Sequence, residues 1–289
     1  MHQHLTDWLR PAPSLENFQE TFEHLSLELG QLQRQARSFG LPIIVLFEGW
    51  EAAGKGAVIQ RLALTLDPRG YRVISVQPAT GPELLWPPLY RFWRDLPEPG
   101  QLVLYNLSYY DRIWRALAEG DLGKRKLAAA CNDICAFEHT LQQQGYLIKK
   151  FFLHITRKEQ IRRFHAIQSD NSMAWRIDAT DLRQHRKYDA WCRAITKVMS
   201  KTEATGNPFV VVDSCSRKSA ALVVLEELRR SILAHLGRNP APPTPSSETV
   251  VQVAEPERAD ASQEGFVNAP KPNLSQPNAG IFASRITSG

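Results

Sequence analysis

The sequence predicts an α/β protein, a three-layer α/β/α sandwich on a five-stranded parallel sheet with a phosphate-binding loop (P-loop) after the first strand. Three observations carry this. Short apolar runs alternate with segments of helical period, the pattern of parallel strands joined by right-handed crossover helices. Between the first apolar run and the next helical segment stands Gly49-x4-Gly54-Lys55, the spacing of a P-loop in its strand–turn–helix context. A basic stretch, Arg157 to Lys187, follows the fourth run, where a lid over phosphates is expected.

Residues 1–13 read as a loose lead-in. A helix begins around Ser14–Phe18 and runs to about Arg37, with Leu25, Leu27, Leu29 and Leu32 supplying its apolar faces. The turn Phe39-Gly40-Leu41-Pro42 leads into the first strand, Ile43–Phe47. Across the loop, glycines let successive N–H groups turn toward phosphate oxygens, and the following helix adds its partial positive charge. This assigns Gly49, Ala53, Gly54, Lys55 and Gly56 to anion binding, with Lys55 as a mobile charge on the outermost phosphates. Gly56 stands where most P-loops carry the Ser or Thr that holds magnesium, so Glu51 is the nearest candidate metal ligand.

After a stop at Leu66-Asp67-Pro68-Arg69-Gly70, the second strand is Tyr71–Val76, and Pro78–Pro82 opens a loop at its carboxyl edge, where open α/β sheets bind ligands. An aromatic-basic helix, Leu89–Pro97, places Arg91 and Arg94 one turn apart, either on a solvated face or toward the ligand. The third strand, Gly100–Tyr105, ends at Asn106, where the second P-loop motif would place an acid near the metal. An amide brings no negative charge there. A long helix, Lys124–Gln144, stops at Gly145. The fourth strand is Tyr146–Ile155, a helix covers Tyr188–Thr202, the last strand is Phe209–Val212, and a final helix spans Arg217–Leu236. The basic stretch at about 157–188 is read either as a lid or as a solvated helix face.

Eight of the 19 prolines fall after Gly237, amid Ser, Thr, Gln and Asn, so 238–289 is expected to be a disordered tail and 14–237 the folded domain. The formal charge is +5, and the four basic and five acidic residues from Arg238 onward leave the first 237 residues at +6, a balance suited to a polyanionic ligand. Four scattered cysteines without a histidine at metal spacing argue for reduced thiols and against a zinc site. The sequence has no signal-peptide pattern and no run of membrane-spanning length, so a cytoplasmic protein without membrane association is expected.

With these residues in place, the chain resembles the polyphosphate kinase 2 family over roughly residues 14–236. The resemblance rests on Glu48-Gly49-Trp50-x-Ala52-Ala53-Gly54-Lys55-Gly56, on Leu66-Asp67-Pro68-Arg69-Gly70-Tyr71, on Arg91-Phe92-Trp93-Arg94-x-Leu96-Pro97, on Phe137-Glu138 and on Phe152-Leu153-His154-Ile155 with Glu159-Gln160. It implies a P-loop kinase-like fold with a helical lid and Mg2+-dependent phosphoryl transfer between inorganic polyphosphate and a nucleoside mono- or diphosphate. It also implies polyphosphate and nucleotide as partners rather than nucleic acid, and a homo-oligomer, dimer or tetramer. By the same resemblance Lys55, Glu51 and Arg112 are catalytic, Glu51 and Asn106 face the metal, and Arg91, Arg94, Arg157, Arg162 and Arg176 bind phosphates. Two departures fall on the chemistry: the family's loop has Asp at the position of Glu51, and its second motif, Asp-Arg-Ser-Trp-Tyr, reads Asn106-Leu107-Ser108-Tyr109-Tyr110 here. These departures motivate a second reading, a weakened homologue that binds polyphosphate or nucleotide as a regulatory or assembly subunit.

Overall fold

The computed structural model describes residues 4–203 and 206–237; the expected disordered tail lies outside the described residues. A six-stranded parallel sheet of order β1-β6-β5-β2-β4-β3 forms the centre, with strands β1 (Leu9–Arg10), β2 (Ile43–Gly49), β3 (Tyr71–Ser75), β4 (Leu102–Asn106), β5 (Leu147–His154) and β6 (Phe209–Asp213). Among the described residues the α-helices are α1 (Phe18–Ser38), α2 (Lys55–Ala63), α3 (Tyr90–Arg94), α4 (Tyr109–Glu119), α5 (Lys124–Gln143), α6 (Arg157–Gln168), α7 (Ala179–Arg186), α8 (Tyr188–Thr202) and α9 (Arg217–Leu236).

The central strands β2, β4 and β6 are buried along nearly their whole lengths, and their near-continuous apolar sequences follow from being covered on both faces. β2 pairs with β4 in the register Phe47↔Asn106 and with β5 in the register Gly49↔Leu153. The carboxyl ends of β2, β4 and β5 therefore lie side by side, and the loops that leave them converge.

Four expectations are corrected. The lead-in is not loose throughout: Leu5–Trp8 form a short 3-10 turn, Leu5 is buried, and Leu9–Arg10 add a sixth strand beside Val211–Val212. Two residues of alternating Leu-Arg carry too short a pattern to announce a strand. In the first helix, which starts at Phe18 within the expected start, Leu27 is 70% exposed and supplies no buried face, while Leu25, Leu29 and Leu32 are buried. The aromatic-basic helix is a five-residue turn, Tyr90–Arg94, because Pro87, Pro88 and Pro97 bound it closely. An unexpected helix, Tyr109–Glu119, begins two residues after Leu107 and is capped by Ser108, whose hydroxyl accepts from the Tyr110 amide.

One buried ionic knot ties α5 and α4 to the sheet. The Lys150 ammonium donates to Glu138 Oε2 at 2.7 Å and to the Tyr110 hydroxyl at 2.9 Å, while the Tyr109 and Tyr110 hydroxyls donate to Glu138 Oε1 at 2.9 and 2.8 Å. Burial pushes the Lys150 ammonium below its ordinary range, and the Glu138 carboxylate opposes that shift.

Candidate active site

The turn from β2 into α2 is shaped by three positive-φ residues. Gly49 (φ 142°) must be glycine, since a Cβ there would stand 2.4 Å from the Leu153 carbonyl oxygen on the neighbouring strand. Ala52 (φ 59°) adopts a left-handed conformation that costs an alanine about 1–2 kcal/mol, so other contacts must hold it. Gly54 (φ 93°) caps α2, leaving the amides of Gly54, Lys55, Gly56 and Ala57 without intrahelical acceptors at the positive end of the helix. At Gly56 a Cβ would meet nothing within 4 Å, which makes this the open face of the loop.

Lys55 is 8% exposed and folds back along the loop. Its ammonium donates to the carbonyls of Gly49 and Trp50, both at 3.2 Å, and reaches Glu51 Oε2 at 3.5 Å. Trp50 is fully buried, stacks on Tyr188 with ring centroids 4.1 Å apart, and donates its indole N–H to His154 Nδ1. Burial holds the His154 imidazole below its ordinary pKa, with Asp213 opposing, and the neutral ring can accept that bond.

The segment expected as a lid grips the loop at both ends. From α6, Gln160 donates to the Glu51 carbonyl and to Gln184 Oε1; from α7, Gln184 Oε1 accepts from the Glu51 amide at 3.0 Å. His185 Nδ1 bonds Gln160 Oε1 at 2.9 Å. Asp181, at the start of α7, is pushed up to about 6 by burial and by the nearby Glu51 charge, against the pull of the Asp178 amide and Lys55. Arg163 is buried beneath the loop, with its guanidinium on the Ala52 and Ala53 carbonyls.

Below the carboxyl ends of β2 and β4 lies an acid the sequence left unassigned. Glu48 is fully buried; Ser108 donates to its Oε1 at 2.5 Å, and its Oε2 has no hydrogen-bond partner. Burial pushes its pKa up to about 8, the Asp111 charge adds to this, and the Ser108 hydroxyl and Lys55 oppose it. Asn106 Oδ1 is likewise buried without a partner, and its amide nitrogen reaches Ser75 Oγ at 3.5 Å. Leu107 follows at φ 65°, a left-handed conformation unusual for leucine.

The arginines divide into groups. Arg91 donates to Glu83 and to the Gln77 carbonyl and so fixes the loop after β3, whereas Arg94 pairs with its neighbour Asp95. Arg112 is exposed on α4. Arg157 approaches Asp189 at 3.9 Å, and Arg176 is exposed beside Met173. Arg162 pairs with Glu159, whose carboxyl is held down at about 2 chiefly by that bond, with Arg163 adding to it. Arg162 also lines a cavity of about 420 Å³ with Arg163, Cys215, Ser216, Arg217 and Lys218. Arg217 packs against Gly54, and burial together with the charges of Arg163, Arg61 and Arg176 presses its pKa below the ordinary range. The structure thus brings Gly49, Ala53, Gly54, Lys55, Gly56 and Glu51 together with the basic cavity. Glu48, Gln160, Arg163, Gln184 and Ser214 were missed as site residues; the available signals were the place of Glu48 and Gln160 in the motifs that carry the family resemblance and the i,i+4 spacing of Glu159 and Arg163.

A divalent metal in phosphoryl transfer bridges phosphate oxygens and rests on one or two carboxylates, without a dedicated protein cage. Among the described residues no group of three or more His, Cys, Asp or Glu side chains is placed to hold a metal. Glu51, part-exposed beside Lys55, and the unpartnered Asn106 Oδ1 fit the sparser arrangement.

The model of the family Polyphosphate kinase 2 (PPK2) matches residues 13–239. The chain is 30% identical over 217 residues to NDP-polyphosphate phosphotransferase 3 of Ruegeria pomeroyi, covering 75% of this chain and 72% of that protein. It is 31% identical over 225 residues to the polyphosphate:AMP phosphotransferase of Pseudomonas aeruginosa, where it spans 45% of the longer relative. The crystal structure of polyphosphate kinase 2 from Arthrobacter aurescens superposes with a TM-score of 0.75 at 21% identity, covering 81% of this chain and 83% of that one, a likeness of fold. With the loop, its lysine and the parallel sheet in place, the match across most of the chain makes it a member of the polyphosphate kinase 2 family.

Proposed function

We propose that this protein transfers phosphoryl groups between inorganic polyphosphate and a nucleoside mono- or diphosphate, with Mg2+ as the cation. The carrying observation is the loop itself: the carbonyls of Gly49 to Ala53 are drawn to Lys55, Gln160 and Arg163, while the first-turn amides of α2 remain for an anion. The names of the relatives, which act on polyphosphate with AMP or another nucleotide, support the substrate class. A phosphate oxygen of the nucleotide attacks the terminal phosphorus of the chain, the bridging P–O bond breaks, and the shortened polyphosphate leaves with that electron pair; the reverse direction uses the same groups. Mg2+ would neutralise the phosphate oxygens, held by Glu51 and by Asn106 Oδ1 as a neutral ligand. Lys55 positions the reacting phosphate, and Arg112 meets it from α4. Arg157, Arg162 and Arg176 of the lid carry the phosphate chain, whose further units suit the cavity lined by Arg162, Arg217 and Lys218. Arg91 orders the loop after β3 on the acceptor side, and Arg94, paired with Asp95, adds positive charge beside it.

No helix among the described residues is long and apolar enough to cross a membrane, in keeping with a proposed cytoplasmic site of action. The exposed Leu84, Leu85 and Trp86, together with the open edge of β3, support a homo-oligomer, dimer or tetramer, which light scattering tests.

The test is nucleotide product formation from polyphosphate and each of AMP, ADP and GDP, with Mg2+. Lys55→Ala is expected to lose about 10²-fold or more in rate. Binding of polyphosphate without turnover in the wild type, and turnover in Asn106→Asp with Leu107→Arg, would replace this proposal with the regulatory-subunit reading.

A further inference from the structure

A guanidinium carries five N–H donors in a rigid fork. That of Arg163 makes five hydrogen bonds: Nε to Glu159 Oε1 at 2.7 Å, Nη1 to the carbonyls of Ala52 and Ala53 at 2.9 and 3.1 Å, and Nη2 to those of Ser214 and Cys215 at 2.7 and 3.0 Å. Its side chain is 6% exposed. Four of the five acceptors are backbone carbonyls from two separate turns, the P-loop and the turn from β6 into α9. Such an arrangement does not serve side-chain packing; it fixes peptide planes.

The plane that matters joins Ala53 to Gly54. Its carbonyl oxygen accepts from Arg163 and also from the Ser214 hydroxyl at 2.6 Å. In a trans peptide the C=O and N–H point in opposite directions. Holding the Ala53 oxygen against Arg163 and Ser214 therefore aims the Gly54 amide away from them, as the first of the unpaired amides at the start of α2. The preceding carbonyl, of Ala52, is pinned by the same nitrogen, which restrains the left-handed conformation at that residue.

We infer that Arg163 is a positioning residue for phosphoryl transfer: it sets the peptide planes of Ala52 and Ala53 so that the loop presents N–H groups to the phosphate chain. It does this from the protein side of the loop, with its five N–H donors all engaged by Glu159 and the four carbonyls. Because Arg163 sits on α6, the first helix of the lid segment, it also makes the loop's aim depend on where that helix lies. Lysine at this position keeps the charge but supplies at most three donors from a single point, so it cannot hold all four carbonyls.

The inference rests on the proposed phosphate binding at the loop, and the experiment separates the two. Tripolyphosphate binding is measured by calorimetry for wild type, Lys55→Ala, Arg163→Lys and Ser214→Ala. Steady-state constants are measured for polyphosphate and nucleotide separately, well below each variant's melting temperature. Arg163→Lys is expected to weaken tripolyphosphate binding about tenfold and to raise the KM for polyphosphate in proportion, with less than a twofold change in the KM for nucleotide. Ser214→Ala, which removes one of the two donors on the Ala53 oxygen, is expected to give about a threefold change in the same direction. With selective 15N-glycine labelling, the Gly54 amide should move on adding tripolyphosphate to wild type and move much less in Arg163→Lys. If Arg163→Lys does not fold, Ser214→Ala carries the test. Loss of binding in Lys55→Ala beside wild-type binding in both other variants overturns the role of Arg163 alone. Wild-type binding in Lys55→Ala overturns the phosphate-loop reading, and the role of Arg163 with it. A lowered melting temperature with unchanged binding and an unchanged KM ratio would reduce Arg163 to a structural residue.

Discussion

Lys150→Met replaces the cation of the buried knot with a side chain of similar length and no charge. Lys150 is 1% exposed and Glu138 fully buried, so water cannot take over the lost contacts. The carboxylate keeps the two tyrosine hydroxyls on Oε1 but loses the 2.7 Å ammonium bond on Oε2, and the Tyr110 hydroxyl loses the donor it accepts from. Removing one partner of a buried pair leaves an uncompensated charge and costs about 3–5 kcal/mol. That is a large share of the roughly 5–15 kcal/mol that holds a domain folded. Glu138→Gln in the same background removes the stranded charge while keeping an oxygen for the tyrosines. The double variant Lys150→Met/Glu138→Gln should therefore recover at least half of the loss. Urea unfolding of the four proteins, followed by circular dichroism, gives the cycle. A Lys150→Met cost below about 1 kcal/mol, or a double variant whose loss is the sum of the single losses, would refute the reasoning that charge isolation dominates.

Three further outcomes follow from the site. Glu48→Gln should flatten the pH dependence of stability: because the folded pKa is raised to about 8, the native state holds a proton the unfolded chain releases. The stability associated with protonated Glu48 is full below the ordinary carboxylate range and falls by about 1.4 kcal/mol per pH unit until the folded pKa is reached. Urea midpoints from pH 5 to 8 should decline more steeply in wild type than in Glu48→Gln; equal slopes would contradict the assignment. Gly49→Ala forces a Cβ onto the Leu153 backbone and should destabilise by about 1–3 kcal/mol or more, with loss of phosphate binding, as thermal unfolding and calorimetry would show. Gly56→Ala, at a helical position with open space, should instead stabilise by about 0.5–1 kcal/mol, and a destabilised Gly56→Ala would show that the loop is packed differently.

The sequence alone determined the layered α/β class, the P-loop, and the limits of several elements. Tyr188–Thr202 and Arg217–Leu236 are helices as expected, and the loop lies between a buried strand and a helix. These are legible because apolar period and glycine spacing are local properties of the chain. Leu9–Arg10 and Tyr109–Glu119 were not legible: the first is a strand because Val211–Val212 lies beside it, and the second is a helix launched by a side-chain cap after a left-handed leucine. Within the site, the sequence pointed to Lys55, Glu51 and the glycines, which the structure places together in the turn between β2 and α2. Only the tertiary structure separated Arg163 from Arg162, adjacent residues of like charge on one helix, of which one is buried under the loop and the other open to the cavity. It likewise showed Arg91 and Arg94 bound to neighbouring acids, and Glu48 sealed under the carboxyl edge of the sheet with one oxygen unsatisfied. Charge type is written in the sequence, whereas partner and burial, which decide what a charge can do, arise when the chain folds and segments such as the P-loop and α6 come together.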